Sequence, residues 1–274
     1  MDWVQYFTQN RKNRVHIPWE RGVAVEPDLR GPLVRSLQRF QIGERGDGAH
    51  LKRVATSTGN GAYMRAIDLF VEEEQEHAEL MARLLCGLGA PLLQRHWSDN
   101  CFRVICLLSN LHVELTVLLV TEIVARRYFR VLYDGIDDPV LRATCVQILH
   151  DEEAHIAFHA DTLRPTLSCL PAPARYAIRA AWRLFFGVVC LVVIYDHRGL
   201  LRACGIPLRV FQRDCLRIFD GMARYAFALP QAAGKPTQKK PPRRQEQDTR
   251  APQRRRERSE VPFYGNSASS ASLR

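Results

Sequence analysis

Six acidic and imidazole side chains recur along the chain with one spacing and have the chemistry of a metal-ligand set. They form two sets that lie 78 residues apart. In each set a Glu comes thirty residues before a Glu-x-x-His motif. The six residues are Glu44, Glu74, His77, Glu122, Glu152 and His155. Carboxylate oxygens and imidazole nitrogens together suit iron or manganese. Two such sets predict a centre for two adjacent metal ions, which can reduce dioxygen or peroxide by two electrons.

Long helices must position these residues, because apolar side chains recur around each of them every three and four residues. The predicted helices span residues 33–56, 62–88, 101–133 and 139–163. The short breaks at 57–61 and 134–138 contain turn residues and predict two antiparallel hairpins. The longer break at 89–100 is typical of a crossover between hairpins.

On every predicted helix the candidate ligand lies on the apolar, core-facing stripe. Each of Glu44, Glu74, Glu122 and Glu152 lies about twelve residues, or roughly 18 Å, from the turn of its hairpin. All four carboxylates should therefore meet at one level. A buried carboxylate without a partner costs several kcal/mol as an order of magnitude. No Lys or Arg lies on these stripes, so bound metal is the most economical source of positive charge.

Four motifs give the chain a resemblance to the ferritin-like superfamily of di-iron carboxylate proteins. They are FQIGERGDG (40–48), LFVEEEQEHAEL (69–80), TEIVARRYFRVL (121–132) and LHDEEAHIAFH (149–159). One Glu from each of two helices, and Glu-x-x-His from each of the other two, is the ligand pattern of such bundles. The resemblance covers residues 33–163, about half of the chain.

This resemblance implies an all-α fold, a ferritin-like four-helix bundle of two antiparallel hairpins with a crossover. By the family pattern, Glu74 and Glu152 would bridge two iron ions, or a manganese–iron pair. Glu44 and Glu122 would be terminal ligands, and His77 and His155 would each bind one metal.

Further side chains near the motifs leave alternatives open. His159 lies one turn beyond His155 and is either an additional ligand, a hydrogen-bond partner of the ligands or a core residue. The 78-residue spacing selects Glu122 over Glu114. Glutamates flanking the second motif are expected on a solvated face, whereas Asp151 and Glu153 are expected to support the ligands or to be solvated. The flanking glutamates are Glu72, Glu73, Glu76 and Glu79.

Three glycines surround Glu44: Gly43, Gly46 and Gly48. Each glycine weakens a helix by roughly 0.5–1 kcal/mol relative to alanine. Close helix packing, a channel for substrate or dioxygen, and a local helix distortion all remain open as reasons for the cluster.

The remaining chain divides into three predicted parts around the bundle at 31–165. Residues 1–30 form an aromatic arm, residues 170–229 an additional helical pair packed on the bundle, and residues 230–274 a disordered basic tail. Within the pair, the twelve apolar residues of Leu184–Tyr195 are too few to span a bilayer and predict a buried helix. Arginines precede that run in a basic stripe, which is either solvated or in contact with a membrane surface. They are Arg175, Arg179 and Arg183.

The charge and the cysteines restrict the class of protein. From residue 231 onward there are eleven Lys/Arg and four Asp/Glu, so +7 of the net charge of +10 belongs to the tail. The tail is either solvated, as basic tails more often are, or in weak contact with nucleic acid or an anionic membrane. None of the eight cysteines forms Cys-x-x-Cys, which argues against zinc-ribbon and rubredoxin-type sites. With no secretory signal at the N-terminus, a reduced cytoplasmic protein is expected.

Three functions remain as hypotheses. The first is a di-iron oxidase or oxygenase that acts on a small-molecule substrate and takes electrons from an external donor. The second is an iron-handling or peroxide-scavenging protein like bacterioferritins and rubrerythrins. The third is a non-enzymatic binding protein that uses the helices as scaffold and the basic tail as contact. A homodimer is compatible with each of them.

Overall fold

A computed structural model of the chain describes residues 1–97 and 110–229, and every regular element among them is helical. The described α-helices are α1 (Trp3–Asn10), α2 (Pro27–Glu44), α3 (Ala49–Ala55), α4 (Gly61–Gly87), α5 (Leu111–Gly135), α6 (Pro139–Ser168), α7 (Ala172–Ala203) and α8 (Leu208–Ala226). The predicted all-α class is therefore confirmed for this part of the chain. The predicted disordered tail and residues 101–109 of the predicted third helix lie outside the described residues.

The helices that carry the Glu-x-x-His motifs begin at equivalent capping residues. The Asn60 side chain accepts a hydrogen bond from the Tyr63 amide at 3.1 Å, and α4 starts there. Asp138, again 78 residues later, accepts one from the Leu141 amide at 2.7 Å at the start of α6. Such caps satisfy backbone donors that the first turn leaves free, typically stabilising a helix by about 1 kcal/mol. The repeat therefore includes the start points that determine how far each motif lies along its helix.

The prediction of one continuous helix over 33–56 is wrong at the glycine cluster. Helix α2 ends at Glu44, and α3 begins at Ala49. Gly48 between them has φ of +62°, and a Cβ atom there would lie 2.5 Å from Cγ2 of Val71. A left-handed backbone against a close neighbour requires glycine. At Gly43 and Gly46 an added Cβ would meet nothing within 4 Å, so neither serves close helix packing.

Packing between the helices brings the motif-bearing segments together. Helix α2 packs on α4, α5 packs on α6, and α4 also contacts α6. The Phe40 and Tyr128 rings stack with centroids 3.9 Å apart and join α2 to α5. In the arm, α1 packs on α4, and its buried Phe7 lies edge-on to Phe158 of α6. Helices α7 and α8 pack on each other and on the preceding helices.

Helix α7 is buried on one face only, so the expectation of a buried helix is wrong for the other face. Trp182, Phe186 and Cys190 are buried against the neighbouring helices, whereas Leu184 is 72% exposed. Among the described residues, α7 alone is long and apolar enough to cross a membrane, judged by length and composition. Of its most apolar 18 residues, 22% are buried. From the predicted basic stripe, Arg183 pairs with Asp220 of α8 at 3.0 Å.

Candidate metal centre

Helices α4 and α6 bring both Glu-x-x-His motifs to one point inside the protein. One ligand atom from each of four residues lies within 4.8 Å of the other three, and the four residues are Glu74, His77, Glu152 and His155. Glu152 and both histidines are buried, while the Glu74 side chain is 14% exposed. Two carboxylates and two imidazoles at this separation could hold a metal ion, since each presents a lone pair to the same space.

The other two predicted ligands reach the same centre from α2 and α5. Oε2 of Glu122 lies 3.5 Å from Nδ1 of His155. Glu44, the last residue of α2, faces the carboxyls of Glu74 and Glu122 closely enough to affect its ionisation. The structure therefore brings all six sequence-predicted residues together, and their roles as ligands stay a prediction.

Both motif histidines turn the same nitrogen toward this space. Nδ1 of His77 lies 3.6 Å from Oε1 of Glu152, and Nδ1 of His155 lies 2.9 Å from Oε1 of Glu74. None of these inward atoms has an aligned hydrogen-bond partner, although all are buried. Buried polar atoms are almost always satisfied in folded proteins. Several orphaned acceptors around one point are what a bound cation would satisfy, so the donor set fits a metal.

The outward nitrogens of the same histidines are held by carboxylates from the opposite helix. Nε2 of His77 on α4 donates to Asp151 of α6 at 3.0 Å, and Nε2 of His155 on α6 donates to Glu73 of α4 at 3.0 Å. Glu73 and Asp151 are again 78 residues apart. A proton held on Nε2 leaves the Nδ1 lone pair free for a metal and fixes the ring orientation.

The expectation that the glutamates flanking Glu74 and His77 lie on a solvated face is wrong for Glu73. Its side chain is only 4% exposed, whereas that of its neighbour Glu72 is 41% exposed. The 78-residue spacing was a signal that could have found this residue, because Asp151 directly precedes Glu152 as Glu73 precedes Glu74. Of the two alternatives for Glu153 and Asp151, Glu153 is solvated, with 73% of its side chain exposed, and Asp151 supports His77.

The N-terminal arm joins the two outer carboxylates to each other. Nδ2 of Asn10 donates to Glu73 at 2.8 Å and to Asp151 at 2.7 Å. Arg14 reaches both oxygens of Asp151 at 2.9 Å and also pairs with Glu76. Sequence reasoning missed Asn10 and Arg14, because nothing local in the arm indicates a contact with helices 60 to 140 residues away.

The pKa shifts show how much negative charge the centre gathers. Burial and the neighbouring Glu74 carboxylate raise the pKa of Glu44 well above its usual range. Burial and Glu122 do the same to the pKa of Glu152. Burial also favours neutral Glu74, but contact with His155 outweighs it and lowers the pKa of Glu74 to about 2. Four carboxyls cannot all stay ionised here without added positive charge.

His155 partly supplies that charge when no metal is bound. Burial disfavours a charged imidazole, but its contacts with Glu122, Glu73 and Glu74 outweigh burial and raise its pKa well above the usual range. Metal binding at Nδ1 would therefore displace a proton, which makes metal affinity depend on pH.

His159 is fully buried beside the centre and stays neutral. Burial and the neighbouring His155 lower its pKa to about 3. Its Nε2 lies 4.0 Å from Oε1 of Glu122, and neither ring nitrogen has a hydrogen-bond partner among the described residues. The ring packs edge-on to Phe70 with centroids 4.7 Å apart. The geometry leaves His159 with an unused lone pair next to a predicted ligand.

Glu114, which the 78-residue spacing excludes as a metal ligand, has a different partner. Its Oε2 lies 2.8 Å from Nδ1 of His50. This pair accounts for a second buried carboxylate on α5 without a metal. Selection of Glu122 by the 78-residue spacing agrees with where the two side chains lie.

A charged cleft opens on the outer side of the centre. It has a volume of about 680 Å³ and reaches Phe7 and Glu73, the residues packed against His155. Its wall carries both signs of charge, from Arg11, Arg14, Arg45, Glu72, Glu73, Glu76 and Glu79. Seven charged side chains in the lining distinguish this cleft from the apolar tunnel that a lipid-like substrate would need.

The chain matches no protein-family model and no curated protein sequence.

Proposed function

We propose that the protein is a di-iron carboxylate oxidase or oxygenase built on a ferritin-like four-helix bundle. The bundle consists of α2, α4, α5 and α6, which supply Glu44, the first Glu-x-x-His, Glu122 and the second Glu-x-x-His. The observation that carries the proposal is the set of buried, inward-facing polar atoms without an aligned hydrogen bond on Glu74, His77, Glu152 and His155.

The charge balance supports two divalent ions. Four carboxylates carry four negative charges when ionised, and two divalent cations match them. In this proposal Glu74 and Glu152 would be shared between the metals, Glu44 and Glu122 would each serve one metal, and each histidine would bind one metal through Nδ1. Manganese could replace one iron, because the same ligands suit both.

When bound, the metal pair supplies two-electron reduction of dioxygen or peroxide, which side chains alone cannot perform. Asp151 and Glu73 accept hydrogen bonds from Nε2 of His77 and His155, which keeps a proton on Nε2 and leaves Nδ1 available to bind metal. The apolar rings of Phe7, Phe70 and Phe158 pack around His155 and His159 and keep water from them. An external electron donor completes a catalytic cycle.

Metal content tests the proposal directly. Anaerobic loading with Fe(II) and removal of excess ion should leave about two irons per chain, and Glu152→Ala should abolish loading. Glu153→Ala is the matched control, because this neighbouring carboxylate is exposed. Oxygen uptake by the loaded protein with a chemical reductant then tests the oxidase activity. Wild-type protein that retains no iron would refute the proposal.

Iron handling or peroxide removal is the second candidate, and the charged cleft favours it. The lining of the cleft carries four glutamates and three arginines, and the net negative charge would attract cations toward Glu73 beside the centre. Sedimentation distinguishes the two functions. A large hollow assembly that accumulates many irons per chain supports storage, whereas a small species with two irons and catalytic oxygen uptake supports the oxidase.

A further inference from the structure

Helix α7 carries an apolar stripe on the face that points away from the other described helices. The α7 stripe consists of Leu184, Val188, Leu191 and Tyr195, whose exposed fractions are 72, 53, 54 and 62%. Spacings of four, three and four residues place them in one line along the helix. Contiguous exposed apolar surface of this kind marks an interaction site rather than a solvated face.

Arginines continue the same line beyond Tyr195. Arg198 and Arg202 follow at the next helical spacings and line a cavity of about 240 Å³ between α2 and α7, together with Arg35 and Arg39. Among the described residues that line this arginine cavity, Asp196 is the one acidic side chain, so four arginines and one aspartate leave three excess positive charges.

The arginines of this cavity are not neutralised within the described part of the chain. Arg39 and Arg198 donate to the backbone carbonyls of Asp196 and Tyr195, which carry no charge. None of the four guanidinium groups lies within 4.0 Å of a carboxylate among the described residues. The cavity therefore presents hydrogen-bond donors and positive charge suited to a phosphate group.

Charge decides which partner fits the α7 stripe. Across residues 172–203 there are five arginines and one aspartate. The line formed by the α7 stripe, Arg198 and Arg202 contains no acidic residue, so a second copy of the same line would offer these arginines no opposite charge. A surface of anionic phospholipids instead complements both features, because acyl chains accept the apolar side chains and headgroup phosphates accept the arginines.

We propose that this face docks on the surface of an anionic lipid membrane. Helix α7 lies in the plane of the interface, since its opposite face packs on α8, α2 and α5 and is not free to meet lipid. Leu184, Val188 and Leu191 insert between the acyl chains, Tyr195 lies at the headgroup level, and the arginine cavity holds a lipid phosphate. The docking does not depend on the metal centre.

Flotation of the full-length protein with vesicles tests this docking. Vesicles of phosphatidylcholine alone and of phosphatidylcholine with phosphatidylglycerol are compared at about 0.15 M and at higher NaCl, since salt screens charge but not apolar insertion. Leu184→Gln with Leu191→Gln should weaken binding by about tenfold per leucine. Arg198→Gln with Arg202→Gln should weaken binding to the anionic vesicles by about fivefold per arginine and leave the weak binding to neutral vesicles unchanged.

Val113→Gln with Val146→Gln is the matched control, because these valines are exposed on α5 and α6 away from the stripe. This variant should bind vesicles like the wild type. At high salt the wild type should stay partly bound while the leucine variant is released. Equal release of both at high salt would show attachment through the basic tail alone and overturn the proposal. A wild-type dimer that the leucine variant dissociates, without vesicle binding, would assign the stripe to a second copy instead.

Discussion

At the scale of single residues, the two ring nitrogens of each motif histidine have different surroundings. Each motif histidine has Nε2 bonded to a carboxylate of the opposite helix and Nδ1 facing a space filled with acceptors. Glu73 and Asp151 therefore determine which nitrogen of His155 and of His77 can bind metal. Asn10 connects the two carboxylates, so one side chain of the arm supports both histidines.

Glu73→Gln should weaken Fe(II) binding by about 10- to 100-fold, the usual cost of losing a carboxylate that orients a histidine ligand. The amide has nearly the same shape, so the change removes negative charge and an acceptor rather than packing. Competition with a chelator under anaerobic conditions measures the affinity. The control is Glu72→Gln, an exposed neighbour paired with Arg11, which should leave affinity unchanged. Equal affinities for both variants would contradict the role assigned to Glu73.

At the scale of helices, the break between α2 and α3 determines where Glu44 lies. Because α2 ends at Glu44, this side chain lies at a helix terminus instead of within a continuous helix. Gly48 makes the turn that follows, and its backbone approaches Val71 of α4. The turn after α2 therefore packs against α4, the helix that carries the first motif.

Gly48→Ala should lower the free energy of unfolding by roughly 2–4 kcal/mol. A non-glycine residue at this φ is strained, and its Cβ would overlap Val71. Gly43→Ala is the control, because a Cβ there meets nothing within 4 Å and helix propensity favours alanine. Urea unfolding of both variants measures the difference. A Gly48→Ala protein as stable as the wild type would show that the backbone adopts another conformation.

The contact between α2 and α7 includes a buried histidine, His197, that makes the stability of the protein depend on pH. Nδ1 of His197 lies 2.6 Å from Oγ of Ser36, and burial, together with the neighbouring Arg39 and His96, lowers the pKa of His197 to about 3. The unfolded histidine takes up a proton near pH 6.5. Folded protein therefore binds fewer protons between about pH 3 and 6.5, so stability falls as pH falls through that window.

Replacing this histidine should remove its share of the pH dependence. Between pH 7 and pH 5 it accounts for about 2 kcal/mol of lost stability by proton linkage. We expect His197→Gln to lose that much less over this interval than the wild type, in urea unfolding at both pH values. His16→Gln, at an exposed position, should lose stability as the wild type does. If His197→Gln follows the wild-type pH dependence, His197 titrates normally in the folded protein.

At the scale of the whole molecule, a metal bound at the candidate centre would link the helices of the fold to one another. The candidate ligands come from α2, α4, α5 and α6, so bound cations would crosslink helices distant in sequence. Without cations the same carboxyls repel one another, as the raised pKa values of Glu44 and Glu152 indicate. Metal loading should therefore stabilise the entire helical unit rather than a local segment.

Loading with Fe(II) or Mn(II) under anaerobic conditions should raise the thermal midpoint relative to protein treated with chelator. At free metal about 1,000 times Kd the gain is about 4 kcal/mol, which corresponds to a shift on the order of 10 °C for a domain of this size. Calorimetry with and without metal measures the shift. Glu152→Ala should show none, and a similar shift in that variant would place the stabilising metal elsewhere.

The all-α class, the starts of α4 and α6 and the six candidate ligands followed from the amino-acid sequence, because helical periodicity and hairpin spacing are local properties. The same periodicity could not show that Asn10 and Arg14 reach the centre, since those contacts join residues far apart in sequence. The apolar run of α7 predicts a buried helix, whereas the burial of each face depends on which neighbouring helices cover it. Only the tertiary structure decided that Glu73 faces inward, that α2 ends at Glu44 and that one side of α7 remains exposed. Each of those outcomes depends on how the helices pack, which the pattern along one helix does not contain.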